Sequence, residues 1–275
     1  MDYRFRKYAS FGARIFKEAC CQPSWAACHL FGMIDQQILL QFHKQKLRDW
    51  FSSSLYRAGV VELLGNEFGS EFNEVQREYE KVRKEWKSDV LSRSIPAGRD
   101  ASEELQFLLF ALVLLTKPKN ILEFGVARGA SSRALLSGLE IIGGGRLVSI
   151  DFPFLIPNYA EEIGFLVPTS LRKKWTLHIG PSQLLLKNIL RTEAAFQLIV
   201  HDGAHSYYVQ RKDLQRSLSA LSPNGVLICD DLNNDSFLEV CQDKFRSVWC
   251  LRQPKKDEPM GLAWQRQPIV KAGDF

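Results

Sequence analysis

From residue 95 onward, short apolar runs rich in Val, Ile and Leu alternate with helix-period stretches, and this alternation constrains the chain more than any other feature. Such runs suit strands buried on both faces, and the helical stretches supply the crossovers that parallel strands need. Asn120–Phe124, Arg146–Ile150, Trp175–Ile179, Phe196–Val200 and Gly225–Cys229 read as successive strands. Helices are expected over Ser102–Thr116, which Pro118 ends, and over Ser131–Leu139, Pro181–Ile189 and Tyr207–Leu221. Ser247–Gln253 and Gly261–Arg266 are strand-like, separated by Pro254 to Pro259, and read as an antiparallel pair closing the sheet. The expected fold is α/β with a mostly parallel sheet, whose ligands bind outside the carboxyl ends of the strands.

The first 95 residues read differently. Phe5, Tyr8, Phe11, Ile15 and Phe16 recur at helical steps, as do Ile38, Leu39, Phe42 and Leu47. Phe72 to Trp86 is a charged helix with one apolar stripe of Val75, Tyr79, Val82 and Trp86, and its charges read as a solvated face. Ser94, Pro96 and Gly98 punctuate a boundary. The expected organisation is therefore a helical N-terminal extension over residues 1–95 and a ligand-binding domain over 96–275. The aromatic content of the extension suits a lid, a wall of an acceptor pocket or an oligomer contact, and a homo-oligomer is expected.

Composition removes several classes. A net charge of +5, dispersed along 275 residues, is no nucleic-acid footprint, and no nucleic-acid partner is expected. The longest apolar run, Leu105 to Leu115, is too short to cross a bilayer and contains Gln106, so no transmembrane segment is expected. The early charges Asp2, Arg4, Arg6 and Lys7 precede no apolar stretch, so no secretory signal is expected. Six cysteines without a regular framework suit reduced thiols in a cytoplasmic enzyme. Cys20, Cys21, Cys28 and His29 lack a second half at metal-binding spacing and read as structural.

Four strand ends carry chemistry. After the first comes Glu123-Phe124-Gly125-Val126-Ala127-Arg128-Gly129-Ala130-Ser131-Ser132. Its glycines allow a tight turn and close approach of a ligand to backbone, with the next helix aiming its N-terminus into the site. Ala127 breaks the G-x-G-x-x-G arrangement of a pyrophosphate cradle, and Glu123 would repel phosphate while suiting a cationic ligand. Asp151 follows the second strand, placed to accept both hydroxyls of a ribose. Ser182 after the third either contacts an adenine edge or caps the following helix. The fourth and fifth strands are followed by His201-Asp202-Gly203-Ala204-His205 and Asp230-Asp231. Asp202, Asp230 and Asp231 are hard oxygen donors suited to Mg²⁺ or another divalent cation, and His205 suits a general base on a substrate hydroxyl.

In this order, the strings L-E-F-G-V-A-R-G-A-S-S from Leu122, S-I-D from Ser149, H-D-G-A-H-S-Y from His201 and G-V-L-I-C-D-D from Gly225 resemble the class I S-adenosylmethionine-dependent methyltransferases. The resemblance covers residues 95–266. It is strongest to the metal-dependent small-molecule O-methyltransferases, including the macrocin and mycinamicin sugar enzymes. It implies a Rossmann-like, seven-stranded sheet with an antiparallel final hairpin. It further implies that Glu123, Phe124, Gly125, Arg128, Gly129, Ser131 and Ser132 shape the cofactor pocket, with Asp151 on the ribose and Ser182 and Asp202 nearby. Asp202, Asp230 and Asp231 match the metal positions and His205 the base, with Asp-Asp standing where the catechol enzymes have Asp-Asn. The expected activity is methyl transfer to a hydroxyl of a sugar, natural product or other secondary metabolite.

Two rival readings compete. Tyr208-x-x-x-Lys212 matches the catalytic spacing of short-chain dehydrogenases, though the glycine loop argues against a dinucleotide. A methyltransferase fold repurposed as a non-catalytic binding protein is the other.

Overall fold

The computed structural model describes residue 19 and residues 22–35, 57–92, 100–153 and 159–265. Helix α1 spans Pro23–Ile34, strand β1 Arg57–Ala58, α2 Val60–Phe68, α3 Ser70–Ser92 and α4 Glu103–Thr116. Strand β2 (Asn120–Phe124), α5 (Ala130–Ile141), β3 (Arg146–Asp151), α6 (Tyr159–Glu162), β4 (Trp175–Ile179) and α7 (Ser182–Thr192) follow. The chain continues through β5 (Phe196–His201), α8 (Tyr207–Ser217), β6 (Leu221–Cys229), α9 (Ser236–Cys241), β7 (Ser247–Leu251) and β8 (Met260–Trp264).

All seven expected strands form, in the order β7-β8-β6-β5-β2-β3-β4, and the two-residue β1 adds beside β7. Strands β2 to β6 pair parallel, whereas β8 runs antiparallel to both β6 and β7. The architecture is the Rossmann-like, mostly parallel sheet with an antiparallel C-terminal pair that the alternation of strand and helix dictates. Because β8 alone is reversed among these seven, β7 ends on the same edge as β6, and the loop from 252 to 259 lies over the carboxyl ends.

The helices form for local reasons. Ser102 caps α4, its hydroxyl accepting from the Leu105 amide at 3.1 Å, and Lys117 ends it in a left-handed conformation before Pro118. The α4 face is apolar all round, which suits a helix covered on both sides. It is sandwiched between the sheet and α3, whose Phe72, Val75, Tyr79 and Trp86 belong to the same buried cluster as Leu105, Leu109 and the β2, β5 and β6 side chains. A second cluster, including Leu186, Leu214 and Phe237, fills the other face of the sheet.

The charged helix expected over 72–86 is longer, and Gly65 lies within α2 while Gly69 ends it. The helical repeats at 5–16 and 38–47, Cys20, Cys21 and the boundary residues 94–98 lie outside the described residues. Among the described residues, no helix is long and apolar enough to cross a membrane.

Candidate active site at the carboxyl edge of the sheet

Parallel pairing of β2 to β6 brings Phe124, Asp151, Ile179, His201 and Cys229 to one edge. The loop after β2 turns through three residues with positive φ, Gly125 (83°), Ala127 (46°) and Gly129 (93°). At Gly125 no side chain fits, because a Cβ would lie 2.0 Å from the Asp202 carbonyl oxygen. The backbones of the glycine loop and the β5 end therefore touch, and the Asp202 amide donates to the Phe124 carbonyl at 2.8 Å. Gly129 starts α5 without a capping side chain, leaving its first amides facing this edge.

Asp151 holds the loop in shape: its Oδ2 accepts from the Val126 and Ala127 amides at 2.6 and 2.8 Å. Its Oδ1 makes no hydrogen bond among the described residues. Burial raises its carboxyl above the usual range, while those two amides pull it back. Arg128 is largely buried, with Nε 3.5 Å from Asp100 Oδ1. The Phe124 ring stacks on His201 at 5.2 Å.

Glu123 is placed differently from the expectation of an acid facing a cationic ligand. It is fully buried beneath the loop, and its Oε2 accepts from Ser132 Oγ at 2.7 Å and Ser149 Oγ at 2.6 Å. Burial pushes its carboxyl up to about 7, against the hydrogen bonds of Ser149, Ser132 and Ser131. Trp175 Nε1 donates to the same Ser149 hydroxyl at 2.8 Å. Glu123 thus ties β2, β3 and α5 together from behind the loop. Ser182 provides no cap for α7; its hydroxyl donates to Asp213 Oδ2 at 2.7 Å.

At the ends of β5 and β6, His205 Nε2 lies 3.9 Å from Asp231 Oδ2, and its Nδ1 is buried without a partner among the described residues. Burial lowers the imidazole to about 4, overriding the opposite pull of Asp231, so it is neutral at pH 7. Loss of water raises the Asp202 carboxyl well above its ordinary value, and the charge of Asp230 adds to that. Asp231 adopts a left-handed backbone (φ 46°), which aspartate tolerates better than most side chains.

Asp202, Asp230 and Asp231 have the oxygen chemistry of a divalent-cation site, but the arrangement does not fit one. Asp230 is fully buried, and each of its oxygens already accepts a hydrogen bond, Oδ1 from Gln253 Nε2 at 2.7 Å and Oδ2 from Lys256 Nζ at 2.8 Å. The same Nζ donates to Asp231 Oδ1 at 2.8 Å. Among the described residues, no three His, Cys, Asp or Glu side chains converge as metal ligands.

Sequence reasoning missed Lys256, Gln253 and Asp35. The signal for the first two was the direction of β7: once it runs parallel to β6, the turn after it must overhang the acids. Asp35, following α1, is fully buried and accepts from the Tyr208 amide at 2.6 Å and the Val209 amide at 3.4 Å, capping α8 from another element. Ser206, the residue at the cap position, makes no side-chain cap. Tyr208 and Lys212, the dehydrogenase-like pair, lie in the first two turns of α8, where the Tyr208 ring packs edge-on against Tyr207. At its other end α1 crosses the β3 and β4 termini. His29 stacks on Phe152 with centroids 3.8 Å apart, Trp25 meets the same ring edge-on at 5.5 Å, and Gly180 packs against Trp25. Cys20 and Cys21, the other members of that sequence cluster with Cys28, lie outside the described residues.

Residues 122–232 match the family described as "Methyltransferase domain". Similar solved structures include the O-methyltransferase from Bacillus cereus in complex with S-adenosylhomocysteine, 19% identical over 66% of this chain and 89% of that one, with a TM-score of 0.52. The O-methyltransferase TomG from Streptomyces achromogenes, involved in tomaymycin synthesis and bound to S-adenosylmethionine, is 18% identical over 80% of this chain and 95% of its own, at 0.51. The S-adenosylhomocysteine-bound methyltransferase PaMTH1 from Podospora anserina is 18% identical over 72% and 97%, at 0.50. No curated protein sequence matches the chain. Residues 122–232 thus match a methyltransferase-domain family, in a chain with the Rossmann-like fold that these solved methyltransferases share.

Proposed function

We propose that this protein transfers the methyl group of S-adenosylmethionine to a hydroxyl oxygen of a small molecule. One observation carries the reading: a left-handed glycine loop touches, backbone to backbone, the strand end that leads to His205. A place to hold a methyl donor thus lies beside a place to hold and deprotonate an oxygen. S-adenosylmethionine supplies a methyl group already activated on sulfur, so alignment and exclusion of water are the main tasks left to the protein.

Within this reading Asp151 Oδ1 takes a ribose hydroxyl, and the uncapped N-terminus of α5 takes the carboxylate of the methionine moiety. Gly125 and Gly129 give the ligand access to main chain, with Phe124, Arg128 and Asp202 around it. Glu123, Ser131 and Ser132 act from behind, holding the loop, and Ser182 acts through Asp213. Trp25 and His29 of α1, with Phe152 after β3, wall the adenosine end. His205, neutral at working pH, accepts the acceptor's proton, and the Asp231 carboxylate beside it stabilises the imidazolium that results. No step is assigned to a divalent cation, because Lys256 and Gln253 already occupy the oxygens of Asp230. The acceptor class is a hydroxylated small molecule of the sugar or natural-product kind. The resemblance to the sugar O-methyltransferases and the likeness to an enzyme of tomaymycin synthesis support that choice.

Calorimetric titration of S-adenosylmethionine, with NADH as the parallel control, tests the cofactor. Binding of the former alone is expected, followed by release of S-adenosylhomocysteine when hydroxylated acceptors are supplied. Binding of NADH alone would return attention to Tyr208 and Lys212, and would overturn the proposal.

A further inference from the structure

Lys256 sits where an aliphatic ammonium has no ordinary reason to be. It projects from the β7–β8 turn onto two carboxylates, donating to Asp230 Oδ2 and Asp231 Oδ1, each at 2.8 Å. A surface lysine forms ion pairs that come and go, and each contributes little. This one is held. Its own amide donates to the Gln253 carbonyl at 3.0 Å, and Gln253 Nε2 bridges Asp230 Oδ1 and the Glu258 carbonyl at 2.7 and 3.1 Å. The Leu232 amide donates to the Pro259 carbonyl at 2.8 Å, fastening the end of the turn to the acid pair. The Gln253 carboxamide oxygen accepts from Ser102 Oγ, the cap of α4. The lysine is therefore positioned by its loop before any ligand arrives.

The electrostatics agree. Burial opposes the charge of Lys256, yet Asp230 and Asp231 outweigh it and hold the ammonium charged. Three carboxylates on neighbouring strand ends repel one another unless a cation compensates. A divalent ion there would need several oxygen ligands at about 2.0–2.6 Å. It would also have to expel an ammonium hydrogen-bonded to two of them, or sit beside it against like-charge repulsion.

From this geometry we infer that Lys256 is the resident cation of the acidic cluster, standing where a divalent metal would otherwise bind between Asp230 and Asp231. Two of its three N–H groups are spent on those acids. About a quarter of the side chain is exposed (26%). The cluster thereby keeps its charge compensated without a metal. The inference rests on the methyltransferase reading only for the purpose it gives the site; the cation assignment itself stands on the contacts.

The test is titration with MnCl₂, followed by calorimetry and by the electron paramagnetic resonance of free Mn²⁺, on the full chain and on Lys256→Gln and Lys256→Met. The wild type is expected to take up no stoichiometric Mn²⁺, and its melting temperature to be the same in EDTA and in Mn²⁺. Both variants are expected to melt lower than wild type and to gain Mn²⁺ binding that raises the melting temperature again. Adding Asp230→Asn should abolish that rescue. Two results would overturn the inference: one Mn²⁺ bound by the wild type and lost in Asp230→Asn alone, or variants that melt with the wild type and ignore Mn²⁺. If Lys256→Met does not fold, Lys256→Gln and the wild-type titration still decide. Titration of S-adenosylmethionine into the same samples keeps the two ideas apart, because its failure would strike the proposed function and leave the Mn²⁺ result standing.

Discussion

At the scale of single residues, burial sets the protonation state of His205 and of Glu123. Loss of water holds His205 neutral at pH 7, the form that the proposed general-base role requires. General base catalysis contributes roughly 10²–10⁴-fold. His205→Ala should therefore lose turnover by about that factor, measured as S-adenosylhomocysteine release, while the calorimetric affinity for S-adenosylmethionine is unchanged. Glu123 moves the other way, to about 7 from 4.5. A raised folded-state pKa means that the native form binds the extra proton. Its stability contribution is fully present below pH 4.5 and is lost as pH rises through 7, a change of about 3 kcal/mol. Glu123→Gln should remove that slope, so urea denaturation at pH 5 and pH 8 should differ less for the variant than for the wild type. A variant with the wild-type slope would show that Glu123 does not titrate in this window.

At the scale of elements, α8 depends on a cap borrowed from the chain following α1. Asp35 takes the two amides that a side chain at Ser206 would ordinarily take. Asp35→Ala should cost about 1–2 kcal/mol, as for other lost caps, and Asp35→Asn should recover most of it because the amide oxygen still accepts. Thermal melting of the pair checks this. The elements of the sheet were legible from the alternation of apolar runs and helical stretches, because a strand buried on both faces must be apolar throughout. Trp175–Ile179 runs over the residues expected, and β3 and β5 run one residue further. Candidate residues could be picked from the sequence where they sit at or shortly after a strand end, as with Asp151, Asp202, His205 and Asp230. The site was not legible where the partner arrives from far along the chain. Asp35 meets residues 173 and 174 positions away, and Lys256 meets acids 26 and 25 positions away, separations over which no periodicity reports. The short helices α6 and α9 also went unseen, since four and six residues carry no helical period.

At the scale of the whole molecule, the change of pattern near residue 95 does not divide the hydrophobic core. Phe72, Val75, Tyr79 and Trp86 of α3 are buried in one cluster with α4 and with β2, β5 and β6. Removing α3 would strip the outer face of an all-apolar helix. Full-length protein should therefore unfold in a single transition, with tryptophan fluorescence and far-ultraviolet circular dichroism superimposing. A fragment beginning at residue 96 should expose apolar surface and bind a hydrophobic dye. Two separated transitions would show that the helical segment folds on its own.

The contact between Gly125 and the Asp202 carbonyl has a consequence for how such a protein could change what it acts on. Within the proposed function, the spacing between donor and acceptor half-sites is built from main chain, like the fixed jaw of a gauge. Substitutions along α1 or in the turn after β7 can reshape what enters the gauge, while the gap it measures stays the same.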